Sequence, residues 1–238
     1  MLEALAIRAV LLDIEGTITP ISFVFDVLFP YASRNVGRYL AEHHGDSKLQ
    51  TLLQDLQAKR DAEHWVSDSN ASEVESLAAY ARHLMSQDSK FPALKSLQGE
   101  IWQEGYATGE LKGQVFDDVP GALRRWHEGG KRIFIYSSGS VLAQKLIFGH
   151  SKHGDLTSLI DGYFDTAVGA KAESGSYHRI AGEIGVNASQ ILFISDAVRE
   201  LDAASSAGMT VRLSVRPGNP EPLPNQYESI RSFKELPF

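Results

Sequence analysis

One mostly apolar run, Ile7 to Ile14, is rich in β-formers, ends in Asp13 and is followed by Gly16, Thr17 and Pro20. It predicts a strand that runs into a loop, buried on both faces as strands of a helix-covered parallel sheet are. The next segment is not a second strand. From about Ser22 to Thr108 strand signals nearly vanish, while Lys48 to Leu56 carries apolar residues at helical spacing. Ser72 to Met85 repeats that spacing behind a capping box, Ser72 with Glu75. The block reads as a helical insertion.

Strand and helix alternate after Phe116. Pro120 opens a helix that ends at Gly129-Gly130, and Arg132 to Tyr136 is a short strand opening into Ser137-Ser138-Gly139-Ser140, with a helix from about Val141. Phe164 to Val168 is a weaker strand leading to Lys171, and Tyr177 to Ile184 is helical. Gln190 to Ile194 is a strong strand ending at Ser195-Asp196, and Arg199 to Ala207 is a helix that stops before the strand Thr210 to Leu213. The expected fold is α/β: a Rossmann-like parallel sheet with helices on both faces, residues 1–20 and 116–238, interrupted by a helical domain, residues 21–115. The tail from Val215, with Pro217, Pro220, Pro222 and Pro224, is expected to be irregular and laid over the surface.

A formal net charge of -7 gives no field that would draw in nucleic acid or an anionic membrane surface. The absence of cysteine removes disulfides, thiolate metal sites and cysteine nucleophiles together. The stretch Met1 to Arg8 has an early acid and only a short apolar run, so neither a signal peptide nor a spanning helix is expected. The expectation is a cytoplasmic monomer that acts on a small molecule.

In open α/β sheets ligands bind at the carboxyl ends of the strands. Those ends deliver Asp13 and Glu15, then Ser137 and Ser138, then Lys171, then Asp196 with Glu200 one helical turn later. Asp13, Glu15 and Asp196 supply the carboxylate oxygens that a hard Mg²⁺ ion takes, and Lys171, Ser137 and Ser138 can neutralise or bond the oxygens of a transferring phosphoryl group. Asp13 is then placed to attack phosphorus, forming an acyl phosphate that water hydrolyses, with Glu15 as the group that protonates the leaving oxygen. Each residue also has a plainer role. Asp13 alone would be a turn residue, but the company of Glu15, Gly16 and Thr17 reverses that; Ser137 and Ser138 would be a helix cap, which is itself an anion site; Lys171 alone would be a surface charge.

Asp13-Ile14-Glu15-Gly16-Thr17, the run ending in Tyr136-Ser137-Ser138-Gly139-Ser140, Lys171, and Ile194-Ser195-Asp196-Ala197-Val198-Arg199-Glu200 resemble, in order, the four motifs of haloacid dehalogenase-type phosphatases. Asp-x-Glu-Gly-Thr and Ser-Asp-x-x-x-Glu-Leu-Asp-Ala-Ala resemble in particular the enolase-phosphatase (acireductone synthase) family of methionine salvage. That resemblance implies enolisation and then dephosphorylation of 2,3-diketo-5-methylthiopentyl 1-phosphate. It implies Mg²⁺ held by Asp13, Glu15 and Asp196, through either the carboxylate or the main-chain carbonyl of Glu15. It further implies substrate contacts from Ser137, Ser138 and Lys171, and a helical cap over the phosphate, with Phe23, Phe25 and Trp65 as apolar candidates for the methylthio end. A related phosphatase of another small phosphomonoester is the alternative. The eight histidines lack zinc spacing, and no nucleophile elbow or phosphate-binding glycine loop follows a strand.

Overall fold

The computed structural model describes residues 7–66 and 70–236, so the N-terminal stretch expected to hold no signal peptide lies outside them as far as residue 6. Six strands form one parallel sheet: β1 (Ala9–Leu12), β2 (Arg132–Tyr136), β3 (Gly162–Phe164), β4 (Ile191–Ser195), β5 (Thr210–Ser214) and β6 (Ser229–Ile230). Their order across the sheet is β3-β2-β1-β4-β5-β6, so the chain builds outward from β1 in one direction, then returns and builds in the other. β1 is central, with Leu12 level with Ile135 on one side and Ile194 on the other. The reversal between β1 and β4 is the switch point at which such sheets open a crevice.

Successive residues of a strand point to opposite faces. Ala9, Leu11, Phe134, Tyr136, Ile191 and Phe193 share one face, packed against α7 (Ser174–Ile184) and α8 (Val198–Ser206) through Tyr177, Ile180, Leu201 and Ala204. The alternate residues Val10, Leu12, Ile133, Ile135, Leu192 and Ile194 are as completely buried, and on β2 and β3 lie α5 (Val119–Glu128) and α6 (Val141–Gly149). With both faces covered, these strands carry apolar side chains in and out, which is why they read as continuous runs rather than alternating ones.

Two expectations are corrected. The third strand stops at Phe164, because Asp165 turns the chain: its carboxylate accepts from the Ala167 N–H at 2.8 Å and its carbonyl from the Val168 N–H at 3.1 Å. The tail is not wholly irregular. Ser229–Ile230 adds a sixth strand beside β5, and a capped turn, Phe233–Glu235, buries Phe233 against Trp126 with ring centres 5.2 Å apart. A two-residue strand is too short to leave a periodic signal.

The chain divides into two compact units: residues up to Phe23 with those from Lys112 onward, and Val24–Leu111. The second is built of α1 (Phe29–His43), α2 (Gln50–Ala62), α3 (Glu73–Ser86) and α4 (Pro92–Ala107), with α1 packed on α3 and α4, and α2 on the same two helices. Tyr39, Leu40, Leu56, Tyr80, Leu97 and Ile101 fill its interior, and the Trp102 indole N–H donates to the Leu28 carbonyl at 2.8 Å. A π-helical turn, Phe23–Leu28, precedes α1. Phe23 is buried and Trp65 packs on Tyr80, whereas Phe25 stays half exposed, edge-on to Phe29. Among the described residues no helix is long and apolar enough to cross a membrane.

The capping box of α3 is formed in full: the Ser72 hydroxyl accepts from the Glu75 N–H at 3.3 Å, and the Glu75 carboxylate accepts from the Ser72 N–H at 2.8 Å. Ser72→Ala leaves a helix N–H without its acceptor and should cost about 1 kcal/mol in urea unfolding. A midpoint unchanged within error would refute that value.

Candidate active site

Asp13 leaves the carboxyl end of the central strand with its N–H still bonded to the Ile194 carbonyl at 3.0 Å. The chain then closes a tight loop in which the N–H groups of Thr17, Ile18 and Thr19 all return to the Ile14 carbonyl, at 3.2, 2.9 and 2.9 Å. Gly16 sits in this loop at φ +67°, and a Cβ there would stand 2.1 Å from Asp196 Oδ2. Only glycine meets both demands, the left-handed backbone and the close approach of a carboxylate.

Lys171 is the hub. Its Nζ lies 2.5 Å from Asp13 Oδ1 and 2.7 Å from Glu200 Oε2, and its side chain is only 11% exposed. The Tyr177 hydroxyl donates to the Lys171 carbonyl at 2.7 Å, the Tyr136 hydroxyl to the Gly169 carbonyl at 2.9 Å, and the Tyr136 ring lies under the ammonium at 5.7 Å. Two strand-borne or helix-borne aromatics thus fix a lysine that itself lies in a loop. Thr17 donates to Asp13 Oδ2 at 3.3 Å, and Ser195 donates to Glu200 Oε2 at 2.8 Å.

The charges do not balance. Burial, then the negative charges of Asp13 and Glu200, push the Asp196 carboxyl up from 3.8 to about 7, with Glu15 adding to the effect and Lys171 opposing it. Burial and Asp13 likewise raise Glu200, although Lys171 and Ser195 pull it down. Burial alone would lower the Lys171 pKa, but Asp13 and Glu200 outweigh it and hold the ammonium above the usual lysine range. Lys171 pairs with two of these carboxylates, Asp13 and Glu200, while Asp196 lies beside them and Glu15 adds negative charge at Asp196.

Asp13, Lys171, Asp196 and Glu200 are thus brought together, with Glu15 near enough to act on Asp196. Ser137 and Ser138 lie at the end of the adjacent strand β2. The Ser137 hydroxyl accepts from the Gly139 N–H at 3.2 Å, and the Ser137 N–H donates to the Phe164 carbonyl at 3.2 Å. Buried Gln144 props this turn, its amide donating to the carbonyls of Gly139 at 2.9 Å and Phe164 at 2.8 Å. Asp13, Glu15 and Asp196 do not form a closed side-chain set. Among the described residues the group with three potential ligand atoms within 4.8 Å of one another is Glu42, His43 and Glu104 of the helical unit, where Arg38 already pairs with both glutamates.

Residues 7–208 match the model of the haloacid dehalogenase-like hydrolase family. Over 233 residues the chain is 46% identical to Enolase-phosphatase E1 of Synechococcus elongatus, covering 97% of this chain and 98% of that protein. The chain belongs to the enolase-phosphatase E1 family. The crystal structure of the UTR4 protein of Saccharomyces cerevisiae superposes with a TM-score of 0.80 at 40% identity, covering 96% of this chain and 99% of that one. A grapevine relative (Vitis vinifera), named a probable bifunctional methylthioribulose-1-phosphate dehydratase/enolase-phosphatase, is 44% identical over an alignment of 243 positions, gaps included, that covers 96% of this chain and 47% of that longer protein.

For an enolase-phosphatase E1 family member, the sequence signal missed most at this site lies after β5. Ser214 and Asn219 donate to the Gly16 carbonyl at 3.2 and 2.8 Å, and Arg216 Nε donates to the Thr17 carbonyl at 2.9 Å. The turn pair Pro217-Gly218 was the available clue.

Gly16→Ala should reduce turnover at least about 100-fold, since the added Cβ displaces Asp196 or the loop; activity within a few-fold of the parent would show that the close approach is dispensable. The raised carboxyls also set a pH dependence. With the folded-state pKa of Asp196 above its unfolded value, the folded protein binds the extra proton between pH 4 and 7, so stability falls as pH rises through that window. Without divalent cation, melting at pH 7.5 should lie at least about 2–4 °C below that at pH 5.5, a change of about 1 kcal/mol. Glu200→Gln should flatten the difference, and an unchanged difference in that variant would count against it.

Proposed function

We propose that this enzyme converts 2,3-diketo-5-methylthiopentyl 1-phosphate, by enolisation and then dephosphorylation, to 1,2-dihydroxy-3-keto-5-methylthiopentene in methionine salvage. The observation that carries it is the Asp13–Lys171–Glu200 cluster beside Asp196 at the mouth of the central strand, in a chain of the enolase-phosphatase E1 family. The grapevine relative adds support for the substrate, because loss of water from methylthioribulose 1-phosphate yields a 2,3-diketo phosphate ester.

Asp13 attacks phosphorus in line, the leaving oxygen takes a proton from Glu15, and water activated by Glu15 hydrolyses the aspartyl phosphate. Lys171, held on Asp13 Oδ1, keeps that carboxylate pointed along one direction and places positive charge beside the phosphoryl oxygens. Ser137 and Ser138 bond the phosphate at the start of α6, where helix N–H groups also favour an anion. The acidic excess that raises Asp196 suits a hard divalent cation, as does a donor set made only of oxygens. Asp13, Asp196 and Glu15, the last through its carboxylate or main-chain carbonyl, would hold Mg²⁺, which supplies charge neutralisation for the transferring phosphoryl group. The helical unit, residues 21–115 in outline, serves as the cap. The enzyme works as a cytoplasmic monomer on this small phosphate ester.

The test follows phosphate release with Mg²⁺ from the diketo phosphate and from ordinary sugar and hydroxy-acid phosphates, with the enol read by its ultraviolet absorbance. Preferential release from the diketo ester with an enol signal is expected, and Asp13→Asn should lower phosphate release at least about 1,000-fold. Equal or better release from ordinary esters without enol would sink the methionine-salvage substrate in favour of another small phosphomonoester.

A further inference from the structure

We infer that the turn Arg216–Asn219, together with Ser214, is a positioning clamp that sets the backbone of the Asp13–Thr17 loop for phosphoryl transfer. The inference rests on the reading of Asp13 as nucleophile.

Its first support is where the hydrogen bonds go. Two consecutive carbonyls of the loop, those of Gly16 and Thr17, are held from outside it: Gly16 by the Asn219 amide at 2.8 Å and the Ser214 hydroxyl at 3.2 Å, Thr17 by Arg216 Nε at 2.9 Å. The N–H groups of the same two peptides, those of Thr17 and Ile18, are held within the loop on the Ile14 carbonyl at 3.2 and 2.9 Å. Both peptide planes are therefore fixed at two ends, and with them the direction of the Thr17 hydroxyl on Asp13 Oδ2. Asn219 also reaches the acidic cluster. Its Nδ2 and Asp196 Oδ2 stand 2.9 and 2.1 Å from the same point, the place where a Gly16 Cβ would be.

The second support is how rigidly the clamp is mounted. Arg216-Pro217-Gly218-Asn219 is a turn closed by the Asn219 N–H on the Arg216 carbonyl at 3.1 Å, with proline second and glycine third at φ +86°. Those are the residues a type II turn asks for, and the turn sends its first and last side chains to adjacent carbonyls. Arg216 is 3% exposed, lies between the rings of Phe116 and Phe233 at 4.8 and 4.3 Å, and pairs with Asp118 at 2.7 Å. Asp118 in turn accepts from Ser232 at 2.9 Å and from the Phe233 N–H at 2.6 Å. Burial would raise the Asp118 carboxyl, but Arg216 and these donors hold it below the usual range. A planar guanidinium with several fixed donors suits this task where a lysine would not. The mount is far more elaborate than fastening a surface tail requires.

The test uses Asn219→Ala and the double variant Ser214→Ala/Asn219→Ala, because truncating buried Arg216 would strand Asp118 and could unfold the chain. Outer partners of this kind typically cost about 10–100-fold in activity or metal affinity when removed. For the double variant we expect kcat to fall at least about 10-fold with KM within about 3-fold. Calorimetric Mg²⁺ binding to the protein without substrate should weaken at least about 3-fold, with melting within about 3 °C of the parent. Unchanged kcat and Mg²⁺ affinity, or losses that track only the fraction unfolded, would overturn the clamp. Asp13→Asn is run alongside on whichever phosphomonoester the parent turns over best. Retained turnover there overturns the nucleophile assignment itself, whereas lost turnover with an unaffected double variant overturns the clamp alone.

Discussion

The lysine ammonium shared by Asp13 and Glu200 is the contact on which the rest of the core depends. Taking an unpaired charge out of water costs several kcal/mol, so a buried cation persists only where carboxylates meet it with good geometry. Here the ammonium and its two partners come from three separate places: the loop after β3, the end of β1, and the first turn of α8 after β4. Bringing the three together requires β1 in the middle and the strand order reversing beside it. The parallel sheet and its switch point are in that sense the means by which one ammonium acquires two partners.

The pair nonetheless leaves the site overcharged. Such a cluster is poor evidence for stability, since well-packed apolar residues would do better in the same space. Asp196 and Glu200 hold their protons more tightly than exposed carboxyls do, which marks a place arranged for chemistry instead of cohesion. The loop between Asp13 and Thr17 shows the same trade. It accepts a left-handed glycine and folds four N–H groups back onto two carbonyls so that a second carboxylate can approach.

Much of this was legible in the amino-acid order. Arg132–Tyr136 and the helix from about Val141 stand where the apolar run and the serine-glycine turn after it put them, because both elements bury most of their residues, although the cap is Ser140 and not Ser137 or Ser138. Asp13, Lys171 and Asp196 could be picked out because polar residues that follow buried strands are few. The third strand was misplaced toward Val168 because its apolar run continues through a turn that Asp165 organises with its own side chain. Glu200 was placed at the strand ends one helical turn past Asp196, but its bond to Lys171 joins residues from separate strand-ends, which no local pattern encodes. Arg216 and Asn219 were hidden for the same reason, in a proline-rich stretch whose composition suggests a loose tail.

The placement of β1 has a consequence for how the chain is made. Both its neighbours in the sheet, β2 and β4, are more than a hundred residues later in the chain, and Val24–Leu111 forms its own compact unit in between. During synthesis the helical unit can complete its local contacts early, while the apolar strand that leads to Asp13 has no partner until Arg132–Tyr136 has emerged and keeps one edge open until Ile191–Ser195 follows. Sheets closed by such distant segments form slowly and expose sticky edges meanwhile. The nascent protein thus spends much of its elongation with a buried-to-be apolar strand incompletely paired, an exposure that the finished fold no longer reveals.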